Sequence, residues 1–141
     1  MLRRGHGLAA LLAGGLLSGC VLASDDPVGA AAAPGSWQGR APALQVARSD
    51  RSTCSQPLTP PALARGRQLA SLRWQFSAPP GAPLRAWLCH PQQCTALSGN
   101  RGRTRGLAGL DAGQPLQLCF RLPAAGPAQR VADLQLLVDY R

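Results

Sequence analysis

The sequence predicts a small all-β fold, an antiparallel β-sandwich, and three observations carry that prediction. Several short segments alternate apolar and polar residues with the period of two that buries one strand face and wets the other. Clusters of proline and glycine separate these segments and suit turns. No segment sustains a helical period with caps, and residues 61–72 have room for a short helix at most. Short alternating strands punctuated by turns are the pattern of a sandwich.

The elements follow in order. Residues 1–23 read as an export signal, with Arg3 and Arg4 ahead of an apolar run from Leu8 to Leu17 that is too short to remain as a membrane span. Two processing routes fit. Leu17-Ser18-Gly19-Cys20 matches a bacterial lipobox, making Cys20 a lipidation candidate, and Val21-Leu22-Ala23 matches an ordinary small-residue cleavage site. Both routes lead out of the cytoplasm. Residues 24–34 form a linker rich in Ala, Gly and Asp, and the folded domain is expected over 35–141.

Within that domain, Ala43 to Arg48 reads as a first strand with Leu44 and Val46 on one face. Residues 49–62 carry Pro57, Pro60 and Pro61, which suits a loop or sheet edge anchored by Cys54. Residues 68–76 give the clearest strand, Leu72, Trp74 and Phe76 alternating with Arg73 and Gln75. Leu84–Cys89 and Cys94–Leu97 read as two strands around a tight corner. The glycines from Gly99 to Gly113 suit turns or bulges. Leu116–Leu122 and Val131–Tyr140 complete the set, the latter with Leu134, Leu136, Val138 and Tyr140 on one face.

The chain has 141 residues and a net charge of +9; all its basic residues except histidine are Arg, and it contains no Glu. Such a charge suits an anionic partner, but an exported chain is a poor candidate for nucleic-acid binding. Removing Cys20 by either route leaves Cys54, Cys89, Cys94 and Cys119, an even set suited to two disulfides in an oxidising compartment, with three pairings open. Zinc held by Cys89, His90, Cys94 and a distant Cys is the rival reading. It is disfavoured because a second paired motif is missing. No cofactor is implied.

An enzyme is hard to build from these residues. His90 is the single histidine after the signal, and no carboxylate pair or activated nucleophile has a recognisable setting. His90 is expected as an exposed loop residue. Trp87 is expected in the core of the second sheet, the alternative being a partly exposed anchor for a partner. Arg101, Arg103 and Arg105 share one face of an extended segment. They form a candidate binding strip, set against the bland reading of a solvated glycine-rich loop.

The run Leu84-Arg85-x-x-Leu88-Cys89-(four residues)-Cys94-x-x-Leu97-x-Gly99-x-x-Gly102-x-Thr104-x-Gly106 resembles the core signature of the flagellar FlhE family. Gly35-Ser36-Trp37-Gln38 and Val138-x-Tyr140-Arg141 resemble that family's beginning and end. The resemblance implies a periplasmic, β-rich accessory protein with a fold likened to pilus subunits and their chaperones. It also implies action near the flagellar type III export apparatus, limiting proton leakage or binding a component of the export system or basal body. The family's single pair matches Cys89 and Cys94, which implies that the two additional cysteines, Cys54 and Cys119, bond each other. The lipobox departs from the family pattern, so both a soluble periplasmic protein and one anchored to the envelope through Cys20 stay open. The alternative function is a lipid-anchored structural or carbohydrate-binding sandwich protein.

Overall fold

The computed structural model describes residues 33–141; the expected export signal, most of the expected linker and Cys20 lie outside the described residues. Nine strands and one 3₁₀ turn follow in order: β1 (Gly35–Ala41), β2 (Leu44–Val46), β3 (Thr53–Cys54), the 3₁₀ turn (Ala62–Ala64), β4 (Leu69–Ser77), β5 (Arg85–His90), β6 (Gln93–Leu97), β7 (Arg101–Thr104), β8 (Gln117–Arg121) and β9 (Gln129–Tyr140). They form two antiparallel sheets. One runs β1-β9-β4-β7 with β2 also on β9, and the other runs β3-β8-β5-β6.

The alternation seen in sequence becomes the core. Leu72, Trp74 and Phe76 of β4 and Leu134, Leu136 and Val138 of β9 face Leu88 of β5 and Leu118 and Phe120 of β8, all buried. The ring of Phe76 meets that of Phe120 edge-on, with centroids 5.0 Å apart and planes at 82°, so this pair joins the two sheets through the centre. Among the described residues, Leu63, in the 3₁₀ turn, is the exception among large apolar residues, at 77% exposed.

Two strands go beyond the sequence expectation. The β1 strand precedes the expected first strand, pairing Gly35 with Tyr140 through to Ala41 with Leu134. The β2 ladder continues the same register, with Leu44 opposite Val131. The two are one edge interrupted at Pro42, whose missing N–H cannot serve a ladder. The second is β7, where a turn-rich run was expected; Arg101 to Thr104 instead pair with Gln75 to Leu72 of β4.

The space for β7 comes from Gly102, which sits opposite Trp74. A Cβ on Gly102 would lie 2.6 Å from the Trp74 ring, and the Trp74 indole N–H donates to the Gly99 carbonyl at 3.2 Å. Gly102→Ala is therefore expected to displace the indole and to cost about 1–3 kcal/mol, the range for overpacking. Urea unfolding followed by tryptophan emission checks it, as a lower midpoint with an unchanged slope. At the end of the same run Gly106 abuts the Thr95 side chain of β6, and its carbonyl accepts the Gln93 side-chain amide at 3.0 Å. The glycines of the signature thus close the sandwich between the edges β7 and β6.

Bulges interrupt β4 and β9. The register slips between Leu69 and Ser71 of β4, and again between Gln75 and Ser77. The first slip leaves Ala70 extra, so Ser71 stands beside Asp139 on the outer face while Leu69 and Leu72 both face inward. Near the second, Asp133 adopts a positive φ of 53°, a left-handed conformation that Asp tolerates better than most residues. That bulge lets Val131 and Leu134, three apart, share the buried face.

Candidate functional site

Both disulfides lie on the outer face of the β3-β8-β5-β6 sheet and join residues that are direct cross-strand partners. Cys54 of β3 is bonded to Cys119 of β8, with Cα atoms 4.0 Å apart. Cys89 of β5 is bonded to Cys94 of β6 at 4.1 Å. The Cys89–Cys94 bridge sits one residue pair above the turn at Pro91-Gln92. Pro91 suits the first central position of a type I turn, and no residue there has positive φ. Such turns splay the strands they join, unlike the primed turns usual in two-residue hairpins. The bridge holds the two strands together directly beside it.

Trp87 stands between the two bridges. It is opposite Cys119 on β8 and Ala96 on β6. Its ring is half-buried on the outer face, and the Arg121 guanidinium lies 5.1 Å from the ring centre. Trp87 is therefore not a core residue of the second sheet: Ala86 and Leu88 take the inward positions, and alternation sends Trp87 out. With Ser52, the cystines, Trp87 and Arg121 line a shallow, mainly apolar depression of about 490 Å³.

His90 also differs from expectation. It is 4% exposed rather than an exposed loop residue. Its Nδ1 accepts the Gln92 N–H at 3.1 Å, so the proton sits on Nε2, which donates to the Asp111 carbonyl at 2.9 Å. His90 shares parity with Ala86 and Leu88, the signal in the sequence that places it inward. With both nitrogens engaged, it ties the β5–β6 turn to the loop before β8. Among the described residues no group of three or more His, Cys, Asp or Glu is placed to hold a metal ion.

Arg101, Arg103 and Arg105 lie on the other sheet, so Trp87 and the arginine strip occupy different outer faces rather than one surface. Arg103 pairs directly with Arg73 of β4. It donates to the Ser71 hydroxyl at 3.0 Å, which in turn donates to Asp139 at 2.9 Å. Arg73 stands 4.0 Å from the same Asp139 carboxylate. Ser71, Arg103 and Asp139 line a second depression, together with Arg105 and Arg141. Arg103 and Arg105 stand out in the sequence by alternation, but Ser71, Asp139 and Arg141 had no signal there, because the bulge at Ala70 is what turns Ser71 towards Asp139. The bidentate pair of Arg48 and Asp50 lies elsewhere, ahead of β3, where the Arg48 guanidinium holds the exposed Asp50 carboxyl down to about 2.

Residues 42–141 match the family model described as flagellar protein FlhE. The chain is 32% identical over 115 residues to the flagellar protein FlhE of Salmonella typhimurium strain LT2, covering 79% of this chain and 88% of that protein. It is 30% identical to the Escherichia coli K12 protein of that name over the same shares. With the Yersinia enterocolitica protein the identity is 33% over 120 residues, 79% of this chain and 84% of the relative. A solved crystal structure of FlhE superimposes with a TM-score of 0.68 at 30% identity, covering 78% of this chain and 99% of that one. With the matched segment holding both cystines and every strand but β1, the chain belongs to the FlhE family of flagellar proteins.

Proposed function

We propose that the protein is a non-enzymatic, periplasmic accessory of the flagellum that binds a protein partner near the type III export apparatus. It acts there to limit proton leakage or to hold its partner as a chaperone does. Family membership supports the flagellar setting. The observation that carries the binding role is the Trp87 face. A half-buried indole, stacked under Arg121 and flanked by two cystines, is an apolar anchor already fixed in place. Aromatic anchors on rigid elements dominate the energetics of protein interfaces, because little side-chain entropy is lost when they dock.

Trp87→Ala tests this reading in a strain lacking the gene. The deletion should impair motility or disturb cytoplasmic pH, and the wild-type chain should restore both. The Trp87→Ala chain should accumulate folded, by near-ultraviolet circular dichroism, yet fail to restore them. A deletion without effect on either readout would refute the accessory role, and full rescue by Trp87→Ala would remove the anchor.

A further inference from the structure

We propose that the depression at Ser71 and Asp139, on the outer face of the β1-β9-β4-β7 sheet, is a binding site for an oxyanion of the phosphate class. The site is independent of the Trp87 face and has its own chemistry. It is a concavity of about 290 Å³, large enough for a phosphate group and open to solvent. Arg103 of β7, and Arg105 and Arg141 at strand ends, line it, and Arg73 of β4 reaches the same Asp139 carboxylate at 4.0 Å. One side-chain carboxylate, Asp139, faces them. Counting an α-carboxylate on Arg141 as well, the lining guanidiniums still outnumber the carboxylates three to two.

The arrangement is electrostatically incomplete. Arg73 and Arg103 are direct cross-strand partners, and like charges placed opposite each other destabilise a sheet. Asp139 offsets them weakly: its Oδ2 takes the Ser71 hydroxyl proton at 2.9 Å and lies 4.0 Å from Arg73. Among the described residues, Arg103 spends its one side-chain hydrogen bond on the neutral Ser71 hydroxyl. Arg105 and Arg141 make no side-chain hydrogen bond or ion pair among the described residues. Guanidinium forks facing a hollow from several sides match the oxygens of a tetrahedral anion, which point in more directions than those of a planar carboxylate. A competing explanation is that arginines on the edge strand β7 merely block edge-to-edge pairing of sheets.

Titration of the ¹⁵N-labelled protein with inorganic phosphate at low ionic strength distinguishes the two. The amides of Ser71, Arg103, Arg105 and Arg141 should shift and saturate. Arg105→Gln, which breaks no intramolecular bond among the described residues, should weaken binding about tenfold, the value of one charge-assisted contact. Arg130→Gln, the same charge change on the far end of β9, should leave affinity unchanged. Sedimentation with phosphatidylglycerol vesicles, against phosphatidylcholine vesicles, names the source. Arg105-dependent pelleting identifies a headgroup phosphate, and phosphate binding without pelleting identifies the free anion; both support the site. Shifts that never saturate, or equal weakening by Arg105→Gln and Arg130→Gln, would overturn it. So would an Arg105→Gln chain that self-associates while keeping its phosphate affinity, since that is the behaviour of an edge guard.

Discussion

Replacing Cys54 and Cys119 together by alanine is expected to lower the unfolding free energy by about 4 kcal/mol, while replacing Cys89 and Cys94 costs about 2 kcal/mol. The contrast follows from loop length. The first bridge spans a separation of 65 residues and the second one of 5. A cross-link across a longer loop removes more freedom from the unfolded chain. The comparison is well controlled, because both bridges join cross-strand partners on the same face with nearly equal Cα separations. Native-state differences should therefore largely cancel. For a domain of this size the larger loss lowers the thermal midpoint by on the order of 15 °C. Calorimetry of the two double variants decides the matter; equal losses would mean that chain entropy is not the governing effect.

Phe120→Ala should be as damaging, at about 3–5 kcal/mol, for a different reason. Phe120 is fully buried on β8 and meets Phe76 of β4 across the interior. Truncation removes the transfer energy of a ring and leaves a void between the sheets, which cannot close without moving whole strands. Part of the loss is specific to the edge-on contact. A cycle with Phe76→Ala should return a coupling of about 1 kcal/mol, measured from urea midpoints of the two single variants and the double. Exact additivity would show that the two rings act as separate fillers.

The fold was legible where the two faces of a strand differ strongly. In β4, β8 and β9 large apolar residues alternate with polar ones, so period and phase could both be read from the sequence. In β1 the inward positions are Gly35, Trp37, Gly39 and Ala41. Three small residues and one ring make a weak pattern, although Trp37 packs on the core. For β7 the difficulty is greater. Gly102 contributes no side chain at all, and its place is filled by Trp74 from the neighbouring strand. A strand whose interior contribution comes from its partner looks like a loop when read alone.

The site was legible in part. The phase of β5 separated Trp87 from Ala86 and Leu88, but a large aromatic residue suggested a second interior where the structure has an outer face lined with cystine. The same phase placed His90 inward, a signal overshadowed by its position beside a turn. The arginine strip was visible as alternation. Its companions Ser71, Asp139 and Arg141 were not, because a bulge reverses side-chain parity and leaves no mark in composition.

The central position of β9 carries a consequence for the order in which the protein assembles. The β3-β8-β5-β6 sheet draws on residues 53–121, and every bridging cysteine lies within that span. The other sheet is organised around residues 129–140, to which β1, β2 and β4 all attach. A chain emerging amino end first can therefore complete one layer and oxidise both cysteine pairs while the opposing layer still lacks its middle strand. Until β9 arrives, the apolar faces of β5 and β8 have no finished counterpart, and the half-built molecule is at its most adhesive.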